Sequence, residues 1–259
     1  MNKQPIGVFD SGVGGTSIWK EIHNLLPNEN TIYLADSKNA PYGPKGKDAI
    51  VELSIKNTDY LISNDCKLIV VACNTATTNA IDYLRQTYQI PFIGIEPAIK
   101  PAALQTKTNA IGILATKGTL SSALFFKTSG LFTSQIKVVE QDGEGIVELI
   151  ESGQLHSEAM IALLKLYLKP MIEAQIDYLV LGCTHYPYLM PLFIDLLPNN
   201  VKIIDSGEAV ARQTKAVLEK HNLLNTEFGR SKNEFYTNGN LEVMKSLLGN
   251  KFNVEYLDF

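Results

Sequence analysis

The chain has 259 residues, 45% hydrophobic and 19% charged, with a formal net charge of −4. That length suits one large domain or two lobes of about 100–150 residues, and the charge offers no basic field for nucleic acid or anionic membrane. No run of about 18 apolar residues is free of charge, so no transmembrane helix is expected, and MNKQPIGVFD is too short and polar for a signal peptide. The three cysteines, Cys66, Cys73 and Cys183, are an odd number without close pairing. A soluble, cytoplasmic protein without a disulfide framework is expected.

Short β-branched runs alternate with longer amphipathic stretches, the pattern of parallel sheets wrapped by helices. In chain order the strands are expected at 5–9, 31–35, 67–72, 91–95, 110–115, 136–139, 177–182 and 201–204. Helices are expected between them at 15–26, 47–63, 75–88, 118–130, 157–174, 188–197 and 207–222. Most of the strands are apolar throughout rather than alternating, as strands covered on both faces must be.

A weak internal repeat runs through this order. LIVVACNTAT at 68–77 resembles YLVLGCTHYP at 178–187, and PFIGIEPA at 91–98 resembles VKIIDSGE at 201–208, both at a spacing of 110 residues. IGVFDSGVGG at 6–15 aligns more loosely with IGILATKGTL at 111–120. The repeat implies two pseudo-symmetric α/β lobes, each contributing one cysteine.

Cys73 and Cys183 occupy matching places, each ending an apolar strand and opening a polar, helix-starting run. Ligands of open α/β sheets bind there, and a following helix N-terminus would favour a thiolate. Either cysteine alone reads as a small buried hydrophobe; two at equivalent strand ends suggest a pair with a task. No Cys-x-x-Cys motif supports a redox couple, and Cys183-x-His185 lacks a second closely spaced ligand pair for zinc. A two-base proton shuttle remains, in which one sulfur removes a proton and the other returns one from the opposite face. Cys66 has no such setting.

Around the pair, Ser11, Asn74, Thr75 and Thr184 are short donors beside helix starts, able to cap the helix or bind carboxylate. Asp10 fits either a turn cap or a proton acceptor, and His185 either a core histidine or an assistant to Cys183. His23, His156 and His221 lie in polar helical contexts and read as solvated. Gly12-Val13-Gly14-Gly15 is neither a P-loop nor a full dinucleotide fingerprint; close backbone approach to a substrate carboxylate is its expected role.

These residues resemble the glutamate racemases of the aspartate/glutamate racemase family. The resemblance rests on Ile6-Gly7-Val8-Phe9-Asp10-Ser11-Gly12-Val13-Gly14-Gly15, Ala40-Pro41-Tyr42-Gly43, Val71-Ala72-Cys73-Asn74-Thr75-Ala76 and Leu181-Gly182-Cys183-Thr184-His185-Tyr186-Pro187, in order and over most of the chain. It implies interconversion of L- and D-glutamate for peptidoglycan synthesis, without cofactor or metal, in an enzyme that is often a homodimer. It also implies that the C-terminal stretch returns to the first lobe, giving lobes 1–97 plus 208–259 and 98–207, with the active site in the cleft between them. By the resemblance Cys73 would deprotonate D-glutamate and Cys183 L-glutamate, with Asp10 assisting the first and His185 the second. Asp10-Ser11, Pro41-Tyr42-Gly43, Asn74-Thr75 and Thr184-His185 would bind substrate. The family's mid-chain catalytic glutamate matches Glu151, with Glu148 its rival. A racemase or isomerase of a related acid such as aspartate, or a two-lobed small-molecule binding protein, stands as the alternative.

Overall fold

A computed structural model describes residues 3–259 except 134, 228 and 230. Among the described residues, ten strands form two parallel sheets. The first contains β1 (Ile6–Asp10), β2 (Thr31–Ala35), β3 (Leu68–Val71), β4 (Phe92–Gly94), β9 (Asn233–Thr237) and β10 (Val254–Tyr256), in the order β10-β9-β2-β1-β3-β4. The second contains β5 (Ala110–Ala115), β6 (Lys137–Asp142), β7 (Tyr178–Gly182) and β8 (Lys202–Ile204), in the order β6-β5-β7-β8. The eight strands expected from sequence are present, shifted by a residue or two at some ends and by three at the end of β6. The helices are α1 (Thr16–Leu25), α2 (Lys47–Ser63), α3 (Asn74–Thr87), α4 (Ile99–Gln105), α5 (Lys117–Leu120), α6 (Ala123–Gly130), α7 (Ile146–Glu151), α8 (Glu158–Glu173), α9 (Met190–Leu196), α10 (Gly207–Lys220) and α11 (Leu241–Leu247).

Strand order exposes the repeat. β2-β1-β3-β4 and β6-β5-β7-β8 have the same connectivity, all parallel. Ile6 pairs with Leu68 in one sheet and Ile111 with Tyr178 in the other, the register that the sequence alignment requires. The outermost pair slips by one residue, with Ile69 opposite Phe92 but Leu179 opposite Ile203.

Equivalence extends to the turn feeding each cysteine-bearing strand. α2 ends with Asp65 at φ 58° and α8 with Gln175 at φ 54°. In both, the next amide bonds back to the same place, Cys66 N to Leu61 O and Ile176 N to Met171 O, the Schellman closure of a helix. Leu61 and Cys66 lie over Gly7, as Met171 and Ile176 lie over Gly112. Cys66 therefore occupies the place of an isoleucine.

Helix α1 packs on α10, and their apolar residues, including Trp19, Ile22, Val210 and Leu218, join one cluster with Leu164, Leu179 and Tyr186 of the second sheet's layer. The two crossovers between the sheets are tied by Ser206, whose hydroxyl donates to the Glu96 carbonyl.

Four features differ from the sequence reading. The helix expected over 118–130 is two, because Ser122 takes an extended conformation and caps a new helix through Phe125 N. The short helices α4, α7 and α11, and strands β9 and β10, were not anticipated. His23 is half-buried and stacks on Trp19 at 4.9 Å rather than standing in solvent. Among the described residues no helix is long and apolar enough to cross a membrane.

Candidate active site

The cleft is assembled at the carboxyl ends of β1, β3, β5 and β7, where each chain leaves its sheet. Cys73 follows β3 and is the N-cap of α3, its sulfur accepting from Ala76 N at 3.4 Å. Ser11 Oγ lies 3.4 Å from the same sulfur. Cys183 follows β7, and His185 Nδ1 stands 3.7 Å from its sulfur. Both cysteines line one small inner cavity, with Ser11, Pro41, Tyr42, Gly43, Asn74, Thr75, Thr184 and His185. The structure thus gathers every anticipated binding position except Asp10, which lies just behind the wall. Thr116, Val147 and Gly182 also line it and were missed. Thr116 sits at the end of β5, the repeat counterpart of the Asp10-Ser11 corner, and its hydroxyl bonds Thr75 across the cleft at 2.7 Å.

Each sulfur lies beside its own titratable side chain. Asp10 is fully buried; its carboxylate accepts from Ser11 N at 2.7 Å, Gly15 N at 2.5 Å and Thr184 Oγ1 at 3.1 Å. Burial raises its pKa, the His185 charge and the Gly15 and Cys73 bonds draw it down, Glu151 pushes it up again, and the net direction is upward. Cys73 is held well above the ordinary thiol value, by burial first and by Asp10 second, against the donors Ser11 and Ala76. This corrects the expectation that the α3 N-terminus would favour the thiolate: one amide dipole at 3.4 Å is outweighed by burial beside a carboxylate.

On the opposite wall His185 Nε2 meets Glu151 Oε1 at 2.6 Å. Burial alone would push this imidazole down, but the bonds to Cys183 and Glu151 hold it well above its usual value. Its two ring nitrogens thus face the Cys183 sulfur and the Glu151 carboxylate. Gly14 N donates to the same Nε2 at 3.3 Å. Glu148 instead lines the outer cleft, with Lys45, Lys47 and Lys117.

The Tyr42 hydroxyl is engaged outside the cavity lining. It donates to Asp36 at 2.5 Å and accepts from Asn57, while Asn238, just past β9, holds the same Asp36 at 2.6 Å. Asn74 Oδ1 is buried without a partner among the described residues, an acceptor open to a ligand. Among the described residues no group of three or more His, Cys, Asp or Glu could hold a metal ion.

Residues 6–214 match the model of the Asp/Glu/hydantoin racemase family. The chain belongs to that family. Its relatives include the glutamate racemase of Ectopseudomonas mendocina, 44% identical over 96% of this chain and 94% of the relative. A glutamate racemase isoform from Bacillus anthracis has the same fold at a TM-score of 0.89, with 30% identity over 100% of this chain and 98% of that one. The Escherichia coli glutamate racemase, solved with L-glutamate and the activator UDP-MurNAc-Ala, superimposes at 0.87, with 32% identity over 98% of each chain. Membership in a racemase family removes the binding-protein alternative and makes the chain an isomerase.

Proposed function

We propose that this chain racemizes glutamate by a two-base mechanism, with Cys183 acting on the L-enantiomer and Cys73 on the D-enantiomer. One observation carries the reading: two cysteines at equivalent strand ends line a single cavity, each beside a separate titratable side chain. A substrate Cα between them has one sulfur on each face. From L-glutamate the Cys183 thiolate takes the Cα proton and the Cys73 thiol delivers its own to the opposite face. D-glutamate leaves with Cys183 as thiol and Cys73 as thiolate, and proton exchange with solvent resets the pair. The upward shift at Cys73 keeps it loaded as donor in this direction; in reverse, Asp10 stands ready to accept its proton.

The Cα proton is far less acidic than a thiol, and each pKa unit of mismatch costs about 1.4 kcal/mol. Donors on the α-carboxylate must lower that barrier as charge develops; Ser11 and Thr75 supply hydroxyls, and Asn74 Oδ1 supplies an acceptor for the ammonium. The cavity admits about one water-sized sphere, ≈ 10 Å³, so the lobes part to receive glutamate and close to exclude water. We take them as 1–97 with 208–259 and 98–207, a division supported by the strand content of the two sheets and by α10 packing on α1. The 44% identity to a named glutamate racemase supports glutamate over aspartate. The product would feed peptidoglycan precursor synthesis in the cytoplasm, where three free thiols persist, and the working form would be a homodimer.

Cys73→Ala and Cys183→Ala test the mechanism. Each should abolish racemization while binding of glutamate persists, and substantial racemization in either variant would refute two bases.

A further inference from the structure

The Gly12-Val13-Gly14-Gly15 loop has the look of an anion cradle, yet its backbone groups are already engaged. Val13 N donates to Glu151 Oε1 at 2.7 Å and Gly15 N to Asp10 Oδ2 at 2.5 Å. The Gly12 carbonyl accepts from Tyr33 OH at 2.9 Å. None of the four residues lines the inner cavity; only Ser11 before them does.

What lies against the loop is the acid–base pair of the other sheet. A Cβ on Gly14 would fall 2.5 Å from His185 Cγ and 2.7 Å from Cε1; one on Gly12 would fall 2.7 Å from the Glu151 carboxyl carbon. The imidazole is 1% exposed and cannot step aside into solvent. We infer that this loop is a positioning socket for the proton-transfer pair of the opposite lobe. Val13 N–H fixes Glu151, and the bare Cα atoms of Gly12 and Gly14 form the floor on which the carboxylate and imidazole rest.

The socket and the pair come from different lobes: the loop follows β1, Glu151 ends α7, and His185 follows β7. Lobe closure therefore both excludes water and completes the base. With the loop withdrawn, Glu151 loses its backbone donor and His185 loses one wall, while Cys73 keeps Ser11 and Ala76, and Asp10 keeps its bonds from Ser11 N and Gly15 N but loses Thr184. The charged or titratable groups facing His185 are Cys183, Glu151 and Asp10.

This inference rests on the two-base reading. Gly14→Ala and Gly12→Ala test it, with Gly130→Ala, where an added Cβ meets nothing within 4 Å, as the control of unchanged activity. A third protein carries an ester in place of the Val13 amide, by incorporation of α-hydroxyvaline; it loses the donor without gaining an atom and covers the case in which the alanine variants fail to fold. A displacement of about 1 Å in a catalytic group can cost about 100-fold. Gly14→Ala is expected to lower kcat by that order with KM little changed. NMR titration of His185 should show its pKa moved downward, since both partners that raise it are disturbed. In D₂O, D-glutamate should take up Cα deuterium faster than it racemizes, because Cys73 still removes the proton and can return a deuteron to the same face. L-glutamate should show no such excess. The ester protein should repeat the lower kcat and the downward His185 titration. Unchanged His185 titration in both a glycine variant and the ester protein, or a raised KM with kcat intact, would overturn the socket and return the loop to substrate binding. If the wild type fails to racemize glutamate, the two-base reading fails instead; the His185 titrations still judge the socket.

Discussion

Cys66 offers a quantitative check on which thiols are structural. Burial, with smaller contributions from Asp65 and Glu234, pushes its pKa from 9.0 up to about 12. A raised folded-state value means that the native protein holds a proton the unfolded chain releases. This contribution to stability is complete below pH 9 and is lost as pH rises toward 12. Between pH 8 and pH 10 the loss is about 1.4 kcal/mol, approaching about 4 kcal/mol near pH 12. Cys66→Ala lacks this contribution. Truncation costs about 1 kcal/mol at every pH through the space left over Gly7, but the extra alkaline loss disappears. Urea unfolding of both proteins at pH 8 and pH 10, under reductant, measures the difference; Cys73 and the buried tyrosines titrate alike in both and cancel. The variant should lose about 1.4 kcal/mol less than wild type over that interval, with racemization retained. Equal losses would refute the argument.

Two stability predictions concern buried charge. Asp177 accepts from Thr106 Oγ1 at 2.6 Å and from the amides of Lys107 and Thr108; burial opposes these bonds, but they win and hold its pKa below 3.8. A depressed carboxylate contributes stability above 3.8 that is lost as pH falls through its folded value, so Asp177→Asn should show a flatter acid limb in unfolding from pH 5 to pH 2. Lys67 and Glu29 form an ion pair with side chains 1% and 2% exposed, at 2.5 Å. Lys67→Met should cost about 3–5 kcal/mol by stranding Glu29, and Lys67→Met with Glu29→Gln should recover part of it; an uncorrected loss in the double variant would show that the pair's charges are not what matters.

Much of the fold was legible because burial wrote it into the residues. β3 (LIVV) and β7 (YLVLG) are covered on both faces and leave continuous apolar runs. β9 (NEFYT) and β10 (VEY) lie at the sheet's outer side, only partly covered, and their polar residues hide the strand signal. α4 and α7 are seven and six residues long, too short for a 3.6-residue period to show. In the site, the repeat pointed to Cys73 and Cys183 directly. Thr116 went unnoticed because Ala115-Thr116 replaces Asp10-Ser11 at the looser end of the repeat. The glycine loop's amides donate to Glu151, His185 and Asp10; Glu151 lies 138 residues from Val13, and no local pattern records such a contact. The direction at Cys73 was misread for a related reason: the local helix is visible in sequence, while burial beside Asp10 is tertiary.

The central claim is proton exchange at Cα through two opposed thiols, and one measurement addresses it most directly. Purified protein is mixed with L-glutamate, and separately with D-glutamate, in D₂O without added cofactor, while the Cα proton signal and optical rotation are followed together. The account predicts that each enantiomer racemizes and that the product carries solvent deuterium from its first appearance, while the remaining substrate stays protonated at early times. Racemization with retention of the Cα proton, or no turnover of either enantiomer, would contradict it.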